Sequence, residues 1–231
     1  MIIQGFQKLT LLDFPGVCAC TVFTPSCNLR CPFCHNASLV LRPGENSEIT
    51  EDYIFSSFLP KRKGIIEGVA ITGGEPLLQP DIFDFVKKIK DMGFKVKLDT
   101  NGTMPSKVKE IVDNNLVDYI AMDVKASPEM YPKVVGIDGF DISVIEKSIS
   151  LIMNGNVDYE FRTTVVNEFH DLSGIKRIGE MINGCKRHYI QAFKDSGDLI
   201  GSGLSAVSKE NMIKMRDIMS GYASTAELRG I

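Results

Sequence analysis

Short runs of β-branched and apolar residues recur along the chain, with longer polar stretches between them. Runs of this length and composition are typical of buried β-strands. The predicted strands span residues 17–23, 68–72, 94–98, 119–124, 157–165 and 188–193.

Between and after these runs, apolar residues recur at the three- and four-residue spacing of one helix face. The clearest example is the stretch 82–92, where Ile82, Val86 and Ile89 form an apolar stripe opposite Lys87. The predicted helices span residues 51–59, 82–92, 106–114, 142–153, 174–182 and 209–219.

Strands that alternate with helices predict a parallel sheet with right-handed crossovers. A run of six such units favours an α/β fold of the partial (βα)6 TIM-like barrel type. A full barrel of eight units takes about 250 residues, and this chain has 231 residues. A doubly wound open sheet is the alternative, because periodicity does not reveal which way the helices cross.

We expect one domain over residues 1–231. Residues 1–16 are predicted to be a short N-terminal extension, a strand or hairpin at the edge of the barrel. Asp13-Phe14-Pro15-Gly16 has the composition of its turn.

The composition, 44% hydrophobic and 24% charged, is typical of a soluble globular protein. A net charge of −3 offers no basic field for nucleic acid or an anionic membrane, so we expect neither as a partner. The sequence has no signal-peptide pattern and no long apolar run, which predicts a cytoplasmic protein. In that reducing compartment the six cysteines are not expected to form a disulfide framework.

Three of the cysteines, Cys27, Cys31 and Cys34, lie close together in the loop after the first predicted strand. Thiolates at this spacing can converge on one iron–sulfur cluster. A cubane cluster takes four ligands, one for each iron, and no fourth cysteine lies nearby. One iron would stay open to a substrate or cofactor. A zinc site that uses His35 or a distant fourth ligand is the alternative, although His35 is adjacent to Cys34 and joint ligation of one ion is awkward.

The other candidate residues follow later predicted strands, where ligands bind in both barrel and open-sheet α/β proteins. Thr72-Gly73-Gly74-Glu75-Pro76 combines two glycines, which permit close backbone approach, with an acid. Further along are the strand-end acids, for which solvated carboxylates are the alternative interpretation. The polar candidates at these ends are Asp99, Asn101, Asp123, Lys125 and Arg162.

The C-x3-C-x2-C loop, with an aromatic residue before its third cysteine, resembles the signature of the radical S-adenosylmethionine (SAM) superfamily. The resemblance implies a [4Fe–4S] cluster on the three cysteines and SAM bound to the open iron. It further implies reductive cleavage of SAM to a 5′-deoxyadenosyl radical, and contact between Phe33 and the adenine. Gly73, Gly74 and Glu75 match the family's GGEP motif, whose backbone and acid hold the methionyl amino group of SAM.

The third and fourth strand ends resemble the DTNG and D-x-K elements of glycyl-radical-enzyme activases. By that resemblance Asp99, Asn101, Asp123 and Lys125 bind the ribose and carboxylate of SAM and help to hold a monovalent cation. Arg162 is expected to fork a carboxylate or to pair with a neighbouring acid. The sixth strand departs from pyruvate formate-lyase activases, because it ends in Phe193 where they tend to carry a histidine.

Residues 7–16, the Phe33-Cys34-His35-Asn36 segment and the compact length resemble the anaerobic ribonucleoside-triphosphate reductase activating proteins. The implied protein substrate is that reductase, a glycyl-radical enzyme that loses a hydrogen from a backbone glycine. The implied electron donor is a flavodoxin or ferredoxin.

Three alternatives stay open. The chain could activate another glycyl-radical enzyme, such as pyruvate formate-lyase, or act on a small molecule, as 7-carboxy-7-deazaguanine synthase does. A cluster-bearing electron carrier is the third, but a carrier would not need the glycine loop or the acidic strand ends. The remaining expectations are that loop 194–207 contacts a partner, that Cys18, Cys20 and Cys185 pack in the core, and that His170 and His188 are structural or surface residues.

Overall fold

The strands form one sheet in which the spatial order follows the order along the chain. This computed structural model describes residues 1–45 and 49–231. β1 runs antiparallel to β2, and every later neighbour pair is parallel. The strands are β1 Gly5–Thr10, β2 Ala19–Thr24, β3 Gly68–Gly73, β4 Lys95–Thr100, β5 Tyr119–Asp123, β6 Asp158–Val165, β7 Cys185–Ala192 and β8 Ala223–Arg229.

This order confirms the partial TIM-like barrel and excludes the doubly wound alternative. A doubly wound sheet reverses its strand order at a switch point, whereas here the order β1 to β8 is uninterrupted. Within the described residues β1 and β8 are not paired, so the sheet curls without closing.

Five of the six predicted helices lie close to their predicted positions. The α-helices are α1 Ala37–Leu41, α2 Ile82–Asp91, α3 Pro105–Asp113, α4 Tyr131–Val135, α5 Ser143–Met153, α6 Leu172–Met181 and α7 Lys209–Met219. The two short helices, α1 and α4, were not predicted. The predicted helix 51–59 is instead a π-helix, Tyr53–Phe58, followed by a 3₁₀ helix, Leu59–Arg62. Pro60 lacks the N–H group that a continuing α-helix requires. None of the helices in the described part of the chain is long and apolar enough to cross a membrane.

The sequence prediction of six βα units was one strand short. β8 was missed because its sequence, ASTAELR, lacks the apolar run of the other strands. β8 is an edge strand, so much of its length is only partly buried and polar residues are tolerated there. It brings Arg229 into the barrel, where both terminal nitrogens bond the buried Glu160 at 2.7 and 2.9 Å.

The N-terminal extension supplies the edge strand β1 and also closes the base of the barrel. Phe14, from the predicted turn, is 3% exposed and packs against Tyr119 with a ring-centroid distance of 6.1 Å. Phe14 and Val17 belong to a small apolar cluster that is separate from the main core. Leu12, two residues before Phe14, is 90% exposed.

We predict that Phe14→Ala lowers the free energy of unfolding by about 3 kcal/mol, because it empties a buried aromatic site. Leu12→Ala, in the same turn, should change it by less than about 0.5 kcal/mol. Urea unfolding of the two variants measures the difference. Equal stability of the two variants would show that Phe14 does not close the base.

Candidate active site

A cavity of about 250 Å³ opens at the carboxyl ends of the parallel strands. Among the predicted site residues, Glu75 is the one that does not line it. The predicted residues on its wall are Cys27, Cys31, Phe33, Cys34, Gly73, Gly74, Asp99, Asn101, Asp123, Lys125 and Arg162. The strand order therefore brings together residues that are far apart in the sequence.

The cysteine loop is held in shape by its own backbone. The Cys34 N–H donates to the Cys31 carbonyl at 3.1 Å, which forms a turn between two of the thiols. The Leu29 N–H points at the Cys27 sulfur at 3.4 Å, and the Asn101 amide nitrogen lies 3.6 Å from that sulfur. Donors aimed at a sulfur stabilise its thiolate form, which is the form that binds metal.

The glycine loop after β3 packs directly on the cysteine loop. A Cβ at Gly74 would lie 1.8 Å from the Ser26 carbonyl oxygen, and one at Gly73 would lie 2.4 Å from the Thr24 oxygen. Gly73 also has a φ of +120°. The Glu75 N–H donates to the Ser26 carbonyl at 2.7 Å. Only glycine allows this approach, because any side chain would occupy the space of the neighbouring backbone.

The Glu75 side chain turns away from the cavity, contrary to the expectation that this acid contacts SAM. It is 1% exposed. Its carboxylate accepts hydrogen bonds from the Leu77 N–H at 3.0 Å, the Thr100 hydroxyl at 3.0 Å and the Asn101 N–H at 2.6 Å. Burial raises the pKa of Glu75 to about 7, although these hydrogen bonds oppose that shift. Glu75 therefore ties the end of β3 to the end of β4.

We predict that Glu75→Ala lowers the free energy of unfolding by about 3 kcal/mol, because it leaves three buried donors without an acceptor. Glu67→Ala is the control, since Glu67 is 62% exposed and pairs with Lys95 at 3.6 Å. That control should change stability by less than about 0.5 kcal/mol. Thermal unfolding of the cluster-free protein measures both, and a Glu75→Ala variant as stable as the control would refute the tie.

Five charged side chains form a continuous chain across β4, β5 and β6. Lys97 pairs with Asp99, and Asp99 lies 3.1 Å from Arg162. Arg162 reaches Asp123 at 2.8 Å, and Asp123 reaches Lys125 at 2.7 Å. We call this the charge chain; its three cations and two anions leave it with one net positive charge.

The ion pairs keep both acids of the charge chain ionised inside the barrel. Burial alone would raise the pKa of Asp99 and Asp123, but Arg162 and the lysines hold both pKa values below the usual range. Burial would lower the pKa of Lys125, yet Asp123 and the Cys31 thiol keep it raised. Each carboxylate oxygen of Asp99 and Asp123 has a cationic partner. A monovalent cation bound to these acids would therefore share its ligands with the lysines and Arg162.

Phe33 and His35 flank Cys34 and face different neighbours. Phe33 is 4% exposed and packs against Phe169 at 6.2 Å and His170 at 6.1 Å. His35 stacks on Phe193 at 5.6 Å with an interplanar angle of 17°. Phe193 thus supports His35 and does not itself line the cavity.

Thr164 and Gln191 are among the cavity residues that were not predicted as site residues. They are direct partners in the register of β6 and β7. Side chains two residues apart share a face of a strand, so Thr164 is expected on the same wall of the cavity as Arg162. The strand periodicity was a sufficient signal for Thr164, but Gln191 required the register between the two strands.

Loop 194–207 is fastened to the cysteine loop. The Gly201 N–H donates to the Pro32 carbonyl at 2.8 Å, and Asp198 accepts from the Ser38 N–H at 3.1 Å. The expectation that this loop contacts a partner stays a prediction. Its structural role is to hold the turn that carries Cys31 and Cys34.

The remaining cysteines and histidines lie outside the cavity wall. Cys20 and Cys185 are buried and Cys18 is partly buried, as expected for packing residues. His170 contacts the Lys125 carbonyl at 2.8 Å. His188 contacts the Thr163 hydroxyl at 2.9 Å. Both histidines are structural residues.

Residues 21–172 match the Radical SAM superfamily, and the chain belongs to that superfamily. Its cofactors are therefore a [4Fe–4S] cluster and SAM. Over its whole length the chain is similar to a protein of Methanocaldococcus jannaschii named as a glycyl-radical enzyme activating enzyme. The two are 32% identical over 236 residues, 100% of this chain and 96% of the relative.

Two other relatives have different names. A pyruvate formate-lyase-activating enzyme of Clostridium pasteurianum is 30% identical over 129 residues, 53% of this chain and 52% of that enzyme. A protein of Saccharolobus solfataricus named as a GTP 3′,8-cyclase is 31% identical over 214 residues, 86% of this chain and 68% of the relative. The crystal structure of Streptococcus suis SuiB bound to precursor peptide SuiA shares the fold. Its TM-score is 0.65 at 14% identity, over 91% of this chain and 48% of that chain.

The donor set of the cavity fits the cluster. Three thiols share one wall of the cavity. Burial raises the pKa of the Cys31 thiol to about 12. The Lys125 ammonium opposes that rise, because a positive charge favours the thiolate form that binds metal. In the described residues, no three Cys, His, Asp or Glu side chains are arranged so that they could hold one metal ion. A cubane does not require such a group, because each thiolate binds a different iron, whereas one zinc ion gathers its ligands within about 2.3 Å of itself.

Proposed function

We propose that this radical SAM enzyme is an activase that takes a hydrogen atom from a backbone glycine of a glycyl-radical enzyme. The observation that carries the proposal is the cavity that joins the three thiols, the glycine loop and the charge chain. The full-length similarity to a protein named as a glycyl-radical enzyme activating enzyme supports the choice of substrate class.

We infer that the partner is an anaerobic ribonucleotide reductase. This choice rests on the likeness of residues 7–16 and of Phe33-Cys34-His35-Asn36 to the activating proteins of that reductase. Pyruvate formate-lyase is the second candidate, since the activating enzyme of that lyase also matches. The electron would come from a cytoplasmic flavodoxin or ferredoxin.

A reduced [4Fe–4S] cluster at this site would supply the electron for cleavage of SAM to methionine and a 5′-deoxyadenosyl radical. Cys27, Cys31 and Cys34 would hold that cluster through three of its irons. Lys125 and Arg162 would face the carboxylate of SAM, because the charge chain has one net positive charge. The hydrogen atom removed from glycine ends in 5′-deoxyadenosine, and the unpaired electron stays on the glycine Cα.

The remaining proposed contacts position SAM. The backbone of Gly73 and Gly74 would bind the methionyl amino group, and Phe33 would pack against the adenine. Asp99 and Asn101 would orient the ribose. Glu75 would act indirectly, by holding the glycine loop against β4.

The test combines two measurements on the anaerobically reconstituted protein. Dithionite and SAM should release 5′-deoxyadenosine and methionine. Addition of anaerobic ribonucleotide reductase or pyruvate formate-lyase should then give the electron paramagnetic resonance (EPR) signal of a glycyl radical. Release of 5′-deoxyadenosine without a radical on either partner would refute the activase and favour a small-molecule substrate. That second function has support from the GTP 3′,8-cyclase relative.

We predict that Cys27→Ala, Cys31→Ala and Cys34→Ala each abolish the cluster, because each removes one of three ligands. Cys18→Ala and Cys20→Ala are matched controls from the preceding segment and should retain close to four irons per chain. Iron and sulfide analysis with the visible absorption spectrum gives the result. Iron retained in Cys31→Ala, or lost in both controls, would contradict the ligand assignment.

We predict that Asp99→Asn weakens SAM binding about tenfold or more, a loss of about 1.4 kcal/mol, with the iron content unchanged. Asparagine preserves the size of the side chain but removes the charge that pairs with Lys97 and Arg162. The exposed Asp84→Asn on α2 is the control. Equilibrium binding of SAM to the loaded protein measures both, and unchanged affinity in Asp99→Asn would remove Asp99 from the site.

A further inference from the structure

The three thiols on the cavity wall differ in the groups that surround their sulfur atoms. Within the described residues, Cys27 is the one whose sulfur receives hydrogen bonds. The Leu29 nitrogen lies 3.4 Å from that sulfur and belongs to the cysteine loop itself. The side-chain nitrogen of Asn101 lies 3.6 Å from it and comes from the segment directly after β4. A separate element of the fold therefore supplies one donor to one thiol.

Asn101 is held in place by its neighbours. It is 6% exposed, and its backbone N–H donates to the buried Glu75 carboxylate at 2.6 Å. The Thr103 N–H and hydroxyl donate to the Asn101 side-chain oxygen at 3.0 and 2.7 Å. Asn28 accepts from the Asn101 amide at 3.0 Å and donates to the Thr103 hydroxyl at 2.8 Å. We call Asn28, Asn101 and Thr103 the amide triangle.

The amide triangle determines which end of the Asn101 amide faces the sulfur. A backbone N–H can only donate, so the Asn101 atom that faces the Thr103 N–H must be the oxygen. The nitrogen then points the other way, toward Cys27. An amide rotated by half a turn would set its oxygen against the sulfur and leave the Thr103 N–H opposite a second donor. The orientation is thus fixed by a backbone group and does not depend on a cofactor.

A donor aimed at a ligating sulfur changes the reduction potential of an iron–sulfur cluster. Reduction adds one negative charge, and part of that charge falls on the thiolate ligands. An N–H group pointed at such a sulfur stabilises the reduced cluster more than the oxidised one. The hydrogen bond therefore makes the cluster easier to reduce.

We propose that Asn101 raises the reduction potential of the [4Fe–4S] cluster by donating a hydrogen bond to the Cys27 sulfur. Asn28 and Thr103 are positioning residues, because they act through Asn101. This inference rests on the assignment of Cys27 as a cluster ligand proposed above and is independent of the substrate. It gives Asn101 a role before SAM binds, in addition to the proposed contact with the ribose.

The first test is Asn101→Leu, which approximately preserves the size of the side chain and removes the donor. An EPR-monitored redox titration of the reconstituted protein without SAM measures the potential, so a lost ribose contact does not enter the result. We expect the equilibrium constant for one-electron reduction to fall about tenfold, which lowers the midpoint potential by about 59 mV. Asn154→Leu, at the exposed end of α5, is the control and should keep the wild-type potential. Iron analysis should give equal loading in both variants.

The second test leaves Asn101 in place and changes its support. Thr103→Val preserves the shape of the side chain but removes the hydroxyl that bonds Asn28 and Asn101. The potential should fall by less than in Asn101→Leu, with the iron content unchanged. Thr103→Ser retains the hydroxyl and should retain the wild-type potential. A purely structural role of Thr103 would change thermal stability without moving the potential.

The outcomes separate this inference from the earlier proposals. A fully loaded Asn101→Leu variant with the wild-type potential overturns the inference, and so does a higher potential. Where Asn101→Leu does not load, Thr103→Val decides, and the wild-type potential in that variant overturns the inference. Iron retained in Cys27→Ala refutes the ligand assignment and the inference with it. A failure to form a glycyl radical on either partner refutes the activase alone, because the potential is measured without substrate.

Discussion

The backbone contact between the loops after β2 and β3 is the constraint on which the cavity depends. Gly74 leaves room for the Ser26 carbonyl, and the Glu75 N–H bonds that same oxygen at 2.7 Å. Ser26 has a φ of +68°, a conformation that costs free energy in a non-glycine residue and persists where its surroundings fix it. Those surroundings include the Leu39 carbonyl, which accepts from the Ser26 N–H at 2.9 Å. The start of the cysteine loop is therefore positioned by protein contacts, so less ordering free energy is spent when a cofactor binds.

The charge chain contributes to the site through its electrostatics rather than through net stability. Buried ion pairs add little to the free energy of unfolding, although the loss of one partner is costly. The value of the charge chain lies in fixed charges at the floor of the cavity. Asp99 and Asp123 alternate with three cations, so opposite charges offset each other and one positive charge is left for a ligand carboxylate. Glu75 lies beside this chain but is satisfied by backbone and hydroxyl donors. The two acidic motifs thus differ: one shapes a loop and the other sets the electrostatic potential of the site.

Six of the parallel strands were predicted from the sequence, because burial on both faces gives each of them a run of apolar residues. β8 was missed because an edge strand does not need that pattern. Local motifs predicted which side chains would gather at the strand ends, since parallel strands bring their carboxyl ends to one rim. Motifs could not predict the direction of the Glu75 side chain, which follows from donors on β4, or the stacking of His35 on Phe193. Those contacts join residues more than twenty positions apart, and sequence periodicity carries no information about them.

The two ends of the barrel are closed to different degrees. Phe14 fills the base, while at the other end no strand of the described residues pairs with the outer side of β8. Residues 7–16, on which the likeness to reductase activating proteins partly rests, lie along β1 and at the base, away from the thiols. In the activase proposed above, the glycine would have to reach the mouth, where the thiols line the cavity. The contacts of Phe14 with Tyr119 show that the N-terminal extension contributes through the stability of the barrel.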